Sequence, residues 1–130
     1  MAEILNCFPL TVFKDKLGLP PEYRHQIGQH IIQSCAASKR IGQSANRSWT
    51  GDRNGHEFLH MQEPFAPMFK AIHQRLRRYV EALGLDPDRF RFQFTRSWGT
   101  VSEKGQKIQR HRHNQSHISL AYYPLKAPNS

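Results

Sequence analysis

The chain has 130 residues, of which 19 are lysine or arginine and 10 are aspartate or glutamate, so its formal net charge is +9. This length suits one compact domain, and the charge favours anionic partners at low ionic strength. Two cysteines are too few for a disulfide scaffold, and no stretch reaches the roughly 18 apolar residues of a membrane span or has the pattern of a secretory leader. We therefore expect a single-domain cytoplasmic protein that does not enter a membrane.

The first half of the chain carries two helical patterns. Residues 4–13 predict a short edge strand, limited by Pro9. The Pro20-Pro21 pair then opens a helix over about 21–37, because proline is well tolerated in a first helical turn. A loop follows over 38–55, with a strand near Trp49. The strongest apolar stripe predicts a helix over 64–83 that Gly84 ends as its C-terminal cap.

The second half of the chain reads as β-structure. Phe90, Phe92 and Phe94 alternate with polar residues, which is the period-two pattern of a strand with one buried face. Two further runs, 107–113 and 117–123, look like strands as well. A helical part over about 20–84 followed by strands over about 89–124 predicts an α+β domain, with helices packed on an antiparallel sheet.

The densest chemical signal is QRHRHNQSH, which places His111, His113 and His117 within seven residues. Neutral imidazole is the commonest metal ligand in proteins. If 107–113 is a strand, His111 and His113 share one face and can reach a single ion. His117 lies beyond a predicted turn at 114–116 and joins the pair only if the hairpin folds back tightly. Histidines on a surface strand are the simpler interpretation of the same letters.

A second signal is HEFLH, in which His56, Glu57 and His60 have the spacing of a zinc protease: two histidines one helical turn apart and a glutamate base. The pattern requires an α-helix that presents both rings. Here it follows a loop and precedes Pro64, which leaves little room for such a helix. Surface or packing histidines on a short helical turn are the favoured interpretation.

The segment SWGTVSEKGQKIQRHRHNQSHISLAYYPLKAP resembles a family of 2-oxoglutarate- and iron(II)-dependent oxygenases, and RSWTGDRN fits loosely. The resemblance implies that the sheet is part of a double-stranded β-helix, with iron(II) as metal and 2-oxoglutarate as cosubstrate. It makes His111 the first ligand and places His113 where the wider superfamily has an acid, so His113 either ligates through a neutral nitrogen or only supports the site. It also makes Ser119 and Tyr123 candidates for contact with the keto acid, although Tyr123 can equally be an ordinary strand aromatic.

The rest of such a site, a distal histidine and a basic residue for the keto acid, has no counterpart after Pro124. We therefore expect the chain to be an incomplete oxygenase. It is either the N-terminal portion of a longer enzyme, which we favour, or one half of a homodimer that completes its sheet by pairing with another copy.

Two other functions fit some of the residues. A cupin-like metal-binding protein would use the spacing of Gly105, His111 and His113, but the acid expected four or five positions later is missing. A nucleic-acid-binding module is less favoured, because the basic residues are scattered and most aromatics have the periodicity of buried positions. It would use Phe92 or Trp98 for stacking together with Arg75, Arg77, Arg78, Arg110 and Arg112.

Overall fold

The computed structural model describes residues 11–38, 46–53, 55–113 and 115–125. Along this part of the chain lie helix α1 (Pro21–Ala37), strand β1 (Trp49–Thr50), helix α2 (Ala66–Ala82) and strand β2 (Thr100–Val101). Short 3₁₀ turns occupy Leu59–Met61, Glu63–Phe65 and Pro87–Arg89. The described part of the chain is thus α+β, with two helices and a small antiparallel sheet. Neither α1 nor α2 has both the length and the apolar character needed to cross a membrane.

Helix α1 begins and ends where the sequence predicts. Pro21 is its first helical residue, and the first backbone bond runs from the Arg24 N–H to the Pro20 carbonyl over 3.0 Å. At the other end, the Ser38 hydroxyl donates to the Ser34 carbonyl over 2.8 Å, and the Ser38 N–H donates to the same oxygen. The Ser34 carbonyl in the last turn of α1 therefore accepts two hydrogen bonds from Ser38.

Helix α2 is the amphipathic helix predicted over 64–83, except that its first residues form the 3₁₀ turn at Glu63–Phe65. It buries Met68, Phe69, Ile72 and Val80. Beyond its C-terminus, Gly84 has a φ of 77°, the Leu85 N–H donates to the Val80 carbonyl, and the Gly84 N–H donates to the Glu81 carbonyl. These two bonds form a Schellman motif, which confirms Gly84 as the cap.

The sheet is smaller than the sequence predicts. Trp49 pairs with Val101 and Thr50 with Thr100 in an antiparallel register. Beyond Thr50, the Gly51 N–H donates to the Gly99 carbonyl over 2.9 Å. On the other side of β1, Arg47 and Lys107 form a separate, parallel bridge, in which the Lys107 N–H donates to the Asn46 carbonyl over 3.0 Å. The strand predicted near Trp49 is therefore confirmed, and its partner lies just before the histidine segment.

Three segments with strand-like alternation, 90–94, 107–113 and 117–123, are not assigned as strands. Within the described residues, the backbone from 108 onward makes no hydrogen bond to another backbone group. A strand exists only with a partner, so alternation alone was insufficient here. The prediction for residues 4–10 lies outside the described residues, and residues 11–13 form no strand.

The core lies between the two helices and the turn at Leu59–Met61. Phe65 and Ile27 are completely buried at its centre, and the half-buried rings of Phe94 and Tyr122 pack against it from the segments that follow α2. Burial raises the pKa of the Tyr122 hydroxyl, while the nearby Arg24 charge lowers it to a smaller extent. The apolar alternation in these segments therefore does place aromatic side chains on the helices.

Candidate metal site

His111 and His113 lie side by side on the exposed segment that follows Lys107. Their Nε2 atoms are 3.1 Å apart, and the ring planes are nearly perpendicular, at 81°, with centroids 4.8 Å apart. Two residues of an extended segment separated by one position point to the same side. The structure therefore brings together the two rings that the alternation predicts, although no strand among the described residues pairs with them.

The backbone of the same segment determines the tautomer of His111. Its Nδ1 lies 2.8 Å from the Gln109 carbonyl oxygen. A carbonyl can only accept, so Nδ1 carries the proton, and in the neutral ring Nε2 carries the lone pair. Metal-binding histidines commonly donate their second nitrogen to such a carbonyl, which orients the ring. The Nε2 lone pair of His111 is thus available to a metal ion. The Nε2 atom of His113 lies directly beside it.

Two planar side chains, Trp98 and Arg96, lie next to the His111–His113 pair. The Trp98 ring lies 5.5 Å from the His113 ring at an interplanar angle of 35°. On Trp98 lies the Arg96 guanidinium, 5.6 Å from the ring centroid, and Arg96 also donates to the Asp52 carbonyl. Trp98 is half-buried, whereas His111 and His113 are exposed. The indole therefore supports His113 from the protein side and leaves the other side of the pair open.

Sequence reasoning missed Gln109 and Arg96 as parts of this arrangement. A signal for both was present, because Gln109, His111 and His113 are spaced by two, as are Arg96 and Trp98. Residues at that spacing lie on one side of an extended chain. What the spacing could not show is that the 96–98 segment lies next to the histidines, which depends on contacts far apart in the chain.

The described residues bring together two candidate ligands, His111 and His113. They contain no group of three or more histidine, cysteine, aspartate or glutamate side chains that could hold a metal ion. His117, which is exposed, therefore does not join His111 and His113 as a third ligand. Its place relative to the pair depends on the predicted turn at 114–116, of which residue 114 lies outside the described residues.

The two residues that the resemblance links to the keto acid are open to solvent. Tyr123 is 73% exposed, and its neighbour Tyr122, not Tyr123, packs on the core. Ser119 is exposed too, and its hydroxyl lies 3.2 Å from that of Ser116. Both hydroxyls are thus accessible to a ligand, but no described contact joins them to His111 or His113.

The HEFLH residues do not form the zinc-protease arrangement. The helical turn that overlaps this stretch is the three-residue 3₁₀ turn Leu59–Met61, so no α-helix presents His56 and His60 together. His56 Nε2 lies 3.3 Å from the Ser38 hydroxyl and its ring lies against Trp49, whereas His60 Nδ1 lies 2.6 Å from the Ser97 hydroxyl. Burial lowers the pKa of His60. These histidines are packing residues, as the local sequence context favours.

Three of the five arginines of the nucleic-acid alternative lie on α2, and each forms an ion pair. Arg75 and Arg78 each lie 3.0 Å from Asp15, and Arg77 forms an ion pair with Asp88 at 2.5 Å. The stacking candidates are half-buried: the Phe92 ring packs edge-on against His73, and the Trp98 ring lies close to both Arg96 and His113. This surface offers neither a free arginine stripe along α2 nor an uncovered aromatic platform at Phe92 or Trp98.

Comparison of the chain with models of protein families, with curated proteins and with solved structures gave no match in any of the three.

Proposed function

We propose that the chain carries the iron(II)-binding part of a 2-oxoglutarate-dependent oxygenase, with His111 and His113 as metal ligands. The observation that carries this proposal is the 3.1 Å separation of the two Nε2 atoms, together with the hydrogen bond that leaves the His111 lone pair on Nε2. The similarity of residues 97–128 to that oxygenase family supports the choice of reaction.

The donor set suits such an ion. Two ligand nitrogens at neighbouring corners of an octahedron, each about 2.1 Å from the ion, are about 3.0 Å apart. The separation of 3.1 Å between the two Nε2 atoms is close to this value, so the spacing of the two nitrogens fits one ion. Imidazole nitrogen is a good ligand for iron, and a site with few protein ligands keeps positions free for a keto acid and oxygen.

When bound, iron(II) would supply the oxygen chemistry that converts 2-oxoglutarate to succinate and carbon dioxide while a substrate carbon is hydroxylated. The chain's own residues would bind the ion and orient its ligands. His111 and His113 hold the ion, the Gln109 carbonyl keeps the proton of His111 on Nδ1, and Trp98 supports the His113 ring. The remaining coordination positions are left to the cosubstrate and to groups outside the described residues.

The keto acid would be held beside the ion by hydroxyl groups. Ser119 and Tyr123 are the candidates on the segment that follows the pair, and both are exposed. A phenol and an alcohol can each donate one hydrogen bond to a carboxylate. Their proposed role is to orient the distal carboxylate of 2-oxoglutarate, and it depends on the resemblance.

Anaerobic calorimetry with iron(II), in the presence and absence of 2-oxoglutarate, tests the proposal. We expect binding to the unaltered chain, tighter binding with 2-oxoglutarate, and loss of binding in both His111→Ala and His113→Ala. His117→Ala is the matched control, because it removes an exposed histidine of the same segment. Binding that survives both substitutions, or no binding to the unaltered chain, would contradict the site. Binding without any effect of 2-oxoglutarate would keep the site and remove the oxygenase.

A further inference from the structure

We propose that two copies of the chain share one zinc ion through their His111 and His113 side chains, so that zinc holds a dimer with four imidazole ligands. This inference rests on the same pair of nitrogens as the proposed function, and it does not require oxygenase chemistry. The first observation behind it is that the pair is exposed and that the described residues offer no third ligand.

Zinc prefers four ligands in a tetrahedral arrangement, and four nitrogens complete that arrangement. Two ligand nitrogens on a tetrahedral zinc ion are about 3.3 Å apart when each bond is about 2.05 Å long. The Nε2 atoms of His111 and His113 are 3.1 Å apart, which is within a few tenths of an ångström of this spacing. One chain would fill half of the coordination sphere, and a second copy would fill the other half.

The second observation concerns the backbone of the same segment. In the described part of the chain, residues 108–113 have no hydrogen bond to another backbone group, and their side chains are exposed. An extended segment with unpaired N–H and C=O groups is a template for a strand from another molecule. Apart from the Gln109 carbonyl, which accepts from His111 Nδ1, the backbone groups of this segment are thus available within the described part of the chain to an identical segment in the antiparallel direction.

One register brings the four histidines together. If the two-fold axis passes through Arg112, His111 of each copy lies opposite His113 of the other. Residues directly opposite in an antiparallel pair have Cβ atoms about 4.5–5.5 Å apart. Alternation then places all four rings on one face and both Arg112 side chains on the other. This register completes the zinc site by contributing two ligands from each copy.

The same register explains why the dimer would need zinc. It places Arg112 directly opposite Arg112 of the partner, and like charges in that position are destabilising. Each copy also has a formal charge of +9. Without the ion, repulsion opposes pairing of this exposed edge, and the zinc–nitrogen bonds supply the compensating free energy.

Sedimentation and calorimetry on the whole chain, with zinc chloride as the probe, test the inference. We expect one zinc ion per two chains and a doubled molar mass with zinc only. His111→Ala and His113→Ala should remain monomeric, whereas His117→Ala should still dimerise; circular dichroism checks that each variant is folded. One zinc ion per monomer would overturn the dimer and leave the metal site intact. A dimer that forms without zinc, or that survives both substitutions, would also overturn it.

The register has its own test. Arg112→Thr removes the facing charges, so the zinc-dependent dimer should become about two- to fivefold tighter at low salt. Arg110→Thr removes one charge at a position that does not face itself, and a smaller change is expected. Equal effects of the two substitutions would overturn the register. If the unaltered chain binds neither zinc nor iron(II), the shared pair is not a metal site and the proposed function fails with this inference.

Discussion

Ser97 Oγ lies 2.6 Å from His60 Nδ1 and accepts the backbone N–H of the same histidine over 2.9 Å. Because the serine oxygen accepts from the backbone, its own proton is available for the ring nitrogen. These bonds attach the Leu59–Met61 turn to the segment just before β2, next to the bond from the Leu59 N–H to the Ser97 carbonyl. A histidine from an apparent metal motif thus holds two distant parts of the fold together.

Ser97→Ala tests that role. The substitution leaves the His60 N–H and Nδ1 without their partner in a half-buried position, and an unsatisfied group of this kind costs about 1–3 kcal/mol. We expect the free energy of unfolding to fall by that amount in urea denaturation. Ser116→Ala is the control, because its hydroxyl contact with Ser119 is exposed, and it should change stability by less than about 0.5 kcal/mol. Equal effects would contradict the role.

The packing of His60 also predicts how stability depends on pH. Burial lowers its pKa below the ordinary value of 6.5, so the unfolded chain binds the proton more readily than the folded chain. The contribution of His60 is therefore complete above about pH 6.5 and is lost as the pH falls from there toward its folded pKa.

Urea denaturation between pH 7.5 and 5 measures this effect. The slope of stability against pH should be smaller in His60→Gln than in the unaltered chain, whereas His25→Gln, which removes an exposed histidine, should keep the original slope. If the His60 variant keeps the slope, other groups cause the loss of stability in acid.

The Schellman motif after α2 makes Gly84 a sensitive position. Its φ of 77° lies in the left-handed region, where a Cβ costs about 1 kcal/mol or more. Gly84→Ala should therefore lower the melting temperature. Gly84→Asn should lower it less, because asparagine tolerates this conformation better than other residues. If both variants melt at the same temperature as the unaltered chain, the glycine is not needed for the cap.

Gly99 is sensitive for a different reason, because a Cβ there would overlap the side chain of Ile31 on α1. Gly99→Ala should destabilise the protein by about 1–3 kcal/mol, the usual cost of forcing extra volume into a packed site. Ile31→Ala makes room, so the double variant should be less destabilised than the sum of the two single variants. Strict additivity in urea denaturation would show that α1 does not pack closely on this glycine.

Features that depend on nearby residues could be predicted from the sequence. The Pro20-Pro21 pair predicted α1, and the apolar stripe that ends at Gly84 predicted α2. Both patterns depend on residues within a few helical turns of each other. The spacing of His111 and His113 was sufficient to predict that their rings lie on the same side of the chain. The segments 90–94, 107–113 and 117–123 were predicted as strands, but a strand also requires a partner, and alternation does not identify one. For the same reason, the contacts of Ser97 with His60 and of Trp98 with His113 could not be predicted.

Trp98 should affect metal binding without touching the ion. Its ring supports His113 at 5.5 Å, and residues that orient a ligand commonly contribute 10- to 100-fold to metal affinity. Trp98→Ala should therefore weaken iron(II) binding about tenfold while the 1:1 stoichiometry of the proposed iron(II) site is retained, and Trp98→Phe should recover most of the loss because a flat ring remains. Phe92→Ala is the matched control, since it removes a half-buried aromatic that contacts His73 instead. Unchanged affinity in the alanine variant would mean that His113 is oriented by its own backbone alone.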